Sequence, residues 1–296
     1  MTTPMRLRAR VEAPGKAVHQ ALTDAGMMRV WLAEKAEVEL PGRYEFWGRY
    51  TPEGDVPRQR LLHVDDRTLR YTWTLDGEDT TVEFSIEDES AGSSIVTLSQ
   101  SDLPDLQESI AGHGSRHVMH TYWAMYIANL VDHLEGREIT TRCDFTTPEM
   151  RERLVIDAPR GAVYDSLIDS AKFRRWFGAN IDIEPHVGGR VAMGGFELDP
   201  DPAARILELE PGRKCSIQWG PDLVSTWELE DAEGGTRLTF VQSGFDEGRP
   251  PYGAWLGWMS GVAELRRFHE LKDWRPIWLD VEMEGMPEGM LYREPQ

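Results

Sequence analysis

Three histidines fall within eight residues, His113, His117 and His120, and imidazole can bind a metal or move a proton near neutral pH. An i, i+3 pair such as His117 and His120 shares one face of a helix, which suits two metal ligands. Glu108 is the only acid close in sequence and no cysteine stands nearby, so no metal and no cofactor are expected. At about 100° per residue, His120 lies about 60° from Trp123, at the edge of an apolar stripe formed by Trp123, Ile127, Leu130 and Leu134. There it could hydrogen-bond a ligand or act as a general base; the plain alternative is a partly exposed structural histidine. Tyr71 is the second candidate for proton transfer, so His120 and Tyr71 are the two catalytic expectations.

These residues belong to a chain that writes one phrase twice. Ala13-Pro14 is answered by Ala158-Pro159, Leu22-Thr23-Asp24 by Leu167-Ile168-Asp169, and Trp31 by Trp176. Gly42-Arg43 meets Gly189-Arg190, Trp73 meets Trp219, and Gln100-Ser101 meets Gln242-Ser243. So long a period means two complete domains of one fold rather than a solenoid. The expected boundaries are domain 1 over 1–137, a linker over 138–149, domain 2 over 150–271 and a tail over 272–296 that packs on the body. In the second copy Trp255 takes the place of His120, so one pocket carries a titratable group and the other a flat apolar wall.

Each copy reads as a strand, two short helices, six strands and a long helix. In copy one the strand is 5–12, the helices start at Pro14 and near residue 26, and Ser115 caps a long helix ending at Gly136. In copy two the strand patterns fall near 181–184, 190–198, 204–209, 214–219, 223–230 and 236–242, before a helix over 252–270. Period-two alternation gives an antiparallel sheet with one buried face, which must lie against the long helix. A curved sheet and a single helix leave a gap between them.

Around that gap the expected walls are Trp31, Phe46, Trp73, Phe84, Met119 and Trp123 in the first copy. Trp176, Phe177, Met193, Trp219, Trp227, Trp255 and Trp258 are their counterparts in the second. Gln100 and Gln242 share the parity of the inward residues; each either bonds to the backbone near the last helix or anchors a ligand among apolar walls. Flat or conjugated ligands suit rings of this kind, although aromatic stripes also serve as plain core.

The Ala-Pro, Leu-x-Asp, Gly-Arg, Tyr71-Thr72-Trp73 and Gln-Ser elements and the Trp-led helix resemble the Hsp90-ATPase-activator-homologue branch of the START/Bet v1 (SRPBCC) superfamily. The resemblance implies an α+β fold of two tandem helix-grip domains, each a curved seven-stranded antiparallel sheet around a long C-terminal helix. It further implies a hydrophobic-ligand binder or a cofactor-independent enzyme on the same pocket. Two-domain relatives include polyketide aromatase/cyclases and proteins that accompany enediyne biosynthesis. The expected function is therefore binding of a conjugated or polyketide-like molecule, in biosynthesis or self-resistance. The alternative is a protein-interaction or chaperone-associated module.

Composition narrows the partners. Thirty-two basic against 51 acidic residues give a net charge of −19, which repels nucleic acid and anionic membranes. No signal peptide and no run of about 20 apolar residues is present, so a cytoplasmic protein is expected. Cys143 and Cys215 do not form a disulfide framework. Gly-x-Ser-x-Gly, phosphate-loop and His-Glu-x-x-His motifs are absent from the sequence.

Overall fold

Met5, Leu7, Ala9 and Val11 alternate with more exposed residues, and this period of two makes β1 (Met5–Val11) a strand with one buried face. The computed structural model describes residues 4–292. After β1, Pro14 precedes α1 (Gly15–Thr23), where its fixed φ and missing N–H cost nothing. Asp24 ends α1 and caps α2 (Ala25–Trp31), its carboxylate accepting from Met27 N at 2.8 Å. A hairpin of β2 (Lys35–Glu39) and β3 (Arg43–Trp47) leads to β4 (Gln59–Val64), β5 (Thr68–Leu75), β6 (Glu78–Asp88) and β7 (Ser94–Gln100). Then come α3 (Leu106–Ala111), a 3-10 turn over Arg116–Val118 and α4 (Met119–Leu134), which is buried along most of its length.

The second copy gives β8 (Arg151–Ile156), α5 (Arg160–Ile168), α6 (Ser170–Phe177), β9 (Ile181–Ile183) and β10 (Val191–Met193). It continues through β11 (Arg205–Glu210), β12 (Lys214–Gln218), β13 (Val224–Ala232), β14 (Gly235–Ser243) and α7 (Tyr252–Glu270). Each copy thus supplies seven antiparallel strands. In each, the hairpin strands β2–β3 or β9–β10 form a separate two-stranded ladder beside the main sheet. The chain divides into two compact units. One holds the described residues up to Thr147, with Tyr252–Ala263 and Ile277–Met286; the other holds Pro148–Pro251, Glu264–Pro276 and the described residues from Pro287 on.

Hydrogen bonds explain much of the repeated phrase. Trp31 Nε1 donates to the Ala21 carbonyl at 3.0 Å, and Trp176 Nε1 to the Ser166 carbonyl at 2.8 Å. Ser94 Oγ reaches Ala13 O and Thr236 Oγ1 reaches Ala158 O, both at 2.7 Å. Asp169 repeats the cap of Asp24, accepting from Lys172 N at 2.9 Å. These are buried or helix-end groups that would otherwise lose their partners, so the repeated residues are those the fold cannot exchange cheaply.

Three elements differ from the sequence expectation. The strand over 190–198 stops at Met193, because Gly194 and Gly195 adopt φ of +86° and +83° and turn the chain. The helix expected from Ser115 begins at Met119 after the 3-10 turn, and the Ser115 side chain does not cap it. Instead Asp76, in the β5–β6 turn, takes the Ser115 and Arg116 amides at 3.0 and 2.8 Å. Helix α3 was not expected, although Asp105-x-x-Glu108 forms a complete capping box.

The tail contributes β15 (Trp278–Glu282), which pairs antiparallel with β1 and extends the first sheet to six strands in the order β15-β1-β7-β6-β5-β4. Four residue pairs form this ladder. At about 1 kcal/mol net per hydrogen bond, ending the chain at Pro276 is expected to cost about 3 kcal/mol and to open the β1 edge to association. Guanidinium unfolding and size-exclusion chromatography would check this; an unshifted midpoint and a monomeric peak would refute it. Both cysteines are free and buried, and burial raises both thiols, Cys215 to about 12. Among the described residues, no helix is long and apolar enough to cross a membrane.

Candidate functional site

Inside the first unit the expected wall residues converge, and their rings pack on one another. Trp73 meets Phe46, Tyr122 and Trp123 edge to face at centroid distances of 5.1, 5.6 and 5.9 Å. Phe84 meets Trp123 at 5.5 Å, and Tyr71 meets Phe46 at 5.9 Å. Trp31, Phe46, Trp73, Phe84, Met119 and Trp123 are all 0–1% exposed, so the sheet and α4 enclose a continuous aromatic interior.

Gln100 lies in that interior with both ends of its amide taken. Its Nε2 donates to Thr80 Oγ1 at 2.8 Å, and its Oε1 accepts from Trp123 Nε1 at 2.6 Å. The expected bond to backbone is therefore a pair of side-chain bonds, because the indole of α4 and the hydroxyl of β6 come within reach. Thr80 passes the chain on by donating to the Trp73 carbonyl at 2.8 Å. Each end of the Gln100 amide thus already has a partner within the protein.

Two tyrosines behave otherwise. The hydroxyls of Tyr71 and Tyr122 are buried without a hydrogen-bond partner among the described residues. Tyr44, beside Tyr71 at 5.1 Å between centroids, bonds to the Leu22 carbonyl at 3.1 Å, and Tyr126 bonds to the Tyr50 carbonyl at 2.7 Å. Burial raises the pKa of Tyr71 and Tyr122, with the neighbouring phenols adding to the effect. Both therefore stay protonated at neutral pH and present hydrogen-bond donors, not bases. No local pattern points to Tyr122, whose hydroxyl matters only once α4 is laid against β5.

His120 is 7% exposed, and its Nδ1 lies 3.3 Å from Ser109 Oγ on α3. Burial lowers its pKa to about 4, partly opposed by Asp105, so the ring is neutral at pH 7. Since the unfolded ring titrates near 6.5, its burial favours the folded state fully above that pH, and this stability fades as pH falls from about 6.5 to about 4. The shift corresponds to about 3 kcal/mol. His120→Leu is expected to flatten the pH dependence of unfolding in that window; an unchanged slope in denaturant titrations at pH 7 and pH 4.5 would contradict it.

An open cleft of about 660 Å³ adjoins α3 and the 3-10 turn. Asp76, Glu108, Arg116 and two of the three histidines, His113 and His117, line it, with Pro104 and Ala111 as apolar wall. Arg116 Nε and His117 Nδ1 are buried without a hydrogen-bond partner among the described residues. The histidine cluster therefore splits, with His113 and His117 facing the cleft and His120 held against Ser109. No group of three His, Cys, Asp or Glu among the described residues is arranged to hold a metal.

In the second unit Trp176 packs on Phe173 and Phe177, at 4.4 and 5.4 Å, and Trp227 on Phe240 at 4.1 Å. Phe177, Met193 and Trp219 are half-buried. Trp219 Nε1 donates to Ser225 Oγ at 3.2 Å. Trp255 and Trp258 are buried in the stretch of α7 that belongs to the first unit. Gln242 is 3% exposed, and neither amide atom has a hydrogen-bond partner among the described residues. Register explains part of the contrast. Gln100 pairs with Val82 and Gln242 with Ser225; two residues earlier stand Thr80 in one case and Leu223 in the other. Leucine has no hydroxyl to offer.

Two tandem sheet-and-helix copies with this repeated framework define a helix-grip protein. The model of the activator of Hsp90 ATPase homolog 1-like protein family matches residues 12–135 and 157–270, and the chain belongs to that family. Protein CV1439 from Chromobacterium violaceum is 24% identical over 41% of this chain and 97% of its own, with a TM-score of 0.32. CalU16 from Micromonospora echinospora is 19% identical over 45% of this chain and 74% of its own, with a TM-score of 0.35. DynU16, described as a putative protein of the dynemicin biosynthetic locus, is 15% identical over 90% of this chain and 98% of its own, with a TM-score of 0.39. No curated protein matches the chain.

Proposed function

We propose that the chain binds a flat, hydrophobic small molecule between sheet and helix, and that Tyr71 and Tyr122 hydrogen-bond its polar group. The observation that carries this reading is the pair of phenol hydroxyls in an aromatic interior that have no partner among the described residues. Each buried unsatisfied group costs about 1–3 kcal/mol, whereas an edge-to-face ring contact is worth about 0.5–1.5 kcal/mol. Exchanging two or three ring contacts for a stacked guest is close to neutral, and supplying partners to both hydroxyls is favourable. Conjugated, polyketide-like molecules have the required planar body and scattered oxygens. The corresponding setting is a cytoplasmic natural-product pathway, as carrier, resistance protein or cyclase. In a cyclase the interior would act mainly by positioning a folded chain.

Titration of intrinsic tryptophan fluorescence with a hydroxyanthraquinone and with a linear polyene, supported by native mass spectrometry, tests the proposal. Tyr71→Phe with Tyr122→Phe is expected to weaken hydroxyanthraquinone binding at least tenfold while raising stability by about 2–6 kcal/mol, since two unsatisfied hydroxyls disappear. No binding of either compound, or equal binding by the double variant, would overturn it. The family description favours a second reading, a module that binds a protein partner. Stoichiometric capture of one partner by a protein that binds neither compound would establish that reading instead.

A further inference from the structure

We propose that the cleft beside α3 is a separate binding site for the carboxylate of a small apolar acid, with Arg116 as its principal ligand. Its volume, about 660 Å³, falls in the range of small-molecule sites. In a chain of net charge −19, other arginines of the first unit are paired: Arg58 with Asp55, Arg67 with Asp88, Arg70 with Glu83. Arg116 forms no ion pair among the described residues, and its Nε is buried without an acceptor. His117 Nδ1 is in the same condition.

The acids of the cleft each hold backbone amides. Asp76 accepts the amides of Ser115 and Arg116, and Glu108 accepts the Asp105 amide at 3.3 Å within the capping box. Among the described residues, the unpartnered donor in the cleft is the Arg116 guanidinium, whose fork matches the two oxygens of a carboxylate. Pro104 and Ala111 offer an apolar surface to the rest of the molecule. Gly112 sets the histidine in place: a Cβ there would come within 2.2 Å of the His117 ring. The ring lies against bare backbone, and any larger residue at 112 would displace it.

Calorimetry on the full chain at low ionic strength, comparing 2-naphthoate, 2-naphthylmethanol and inorganic phosphate, provides the test. Naphthoate is expected to bind at least tenfold more tightly than the alcohol. Arg116→Gln should abolish that preference, and Gly112→Ala should reduce it without changing any charge. Naphthoate should also shift the His117 ring resonances in proton NMR, in the parent but not in Arg116→Gln. Equal binding of acid and alcohol, phosphate binding as tight as naphthoate, or unchanged naphthoate affinity in Arg116→Gln would each refute the site. Because the Tyr71 and Tyr122 variants leave the cleft intact, loss of the acid preference with retained Tyr-dependent hydroxyanthraquinone binding would sink this site alone. The reverse pattern would sink only the interior site.

Discussion

Trp123→Ala is expected to bring the first unit to the edge of unfolding. The indole is 0% exposed and meets Trp73, Phe84 and Tyr122 edge to face, so alanine leaves a large cavity among rigid rings. Such truncations cost about 3–5 kcal/mol. The loss is compounded because Gln100 Oε1 gives up its 2.6 Å bond and stays buried, for about 1–3 kcal/mol more. Domains are commonly stable by only about 5–15 kcal/mol, so the sum consumes most of what is available. Near-ultraviolet circular dichroism and guanidinium unfolding provide the check. A midpoint close to that of the parent would mean that the aromatic interior does not carry the fold. Trp123→Phe, which keeps most of the volume but not the indole N–H, should fall between the two.

The same substitution at equivalent positions of the two copies should have opposite signs. Gln100→Leu strands the Trp123 indole N–H in an apolar interior and is expected to destabilise by about 2–3 kcal/mol. Gln242→Leu removes an amide with no partner among the described residues and is expected to stabilise by about 1 kcal/mol. Denaturant unfolding followed by tryptophan fluorescence would measure both, analysed with two transitions if the units melt separately. Destabilisation of similar size at both positions would show that the Gln242 amide is satisfied in solution. Should Gln242→Leu stabilise the protein and also weaken binding of a ligand, the second unit would hold a polar anchor that the first has turned into structure.

Much of the fold was legible because its determinants are local. Pro14 and Pro159 mark helix starts, Asp24 and Asp169 cap the next helix, and alternating residues mark strands. The capping box at Asp105 and Glu108 was equally local and could have revealed α3. It borders the cleft, so with it Arg116 would have drawn notice as an arginine without an acid at helical spacing. The strand residues Phe46, Trp73 and Phe84 are all buried, since alternation puts them on the inward faces of their strands. Parity says nothing, however, about whether rings on that face surround a guest or one another.

By itself, the sequence determined the duplication, the strand and helix order shared by the two copies, the inward faces and the family, because each depends on residue types at fixed short spacings. Tertiary structure alone decided that Gln100 has partners while Gln242 has none among the described residues, that Tyr122 joins Tyr71 as a buried donor, and that His120 parts from His113 and His117. Those outcomes depend on which hydroxyl, indole or carbonyl arrives from another element. A few ångströms of packing set them, and no local pattern encodes that distance.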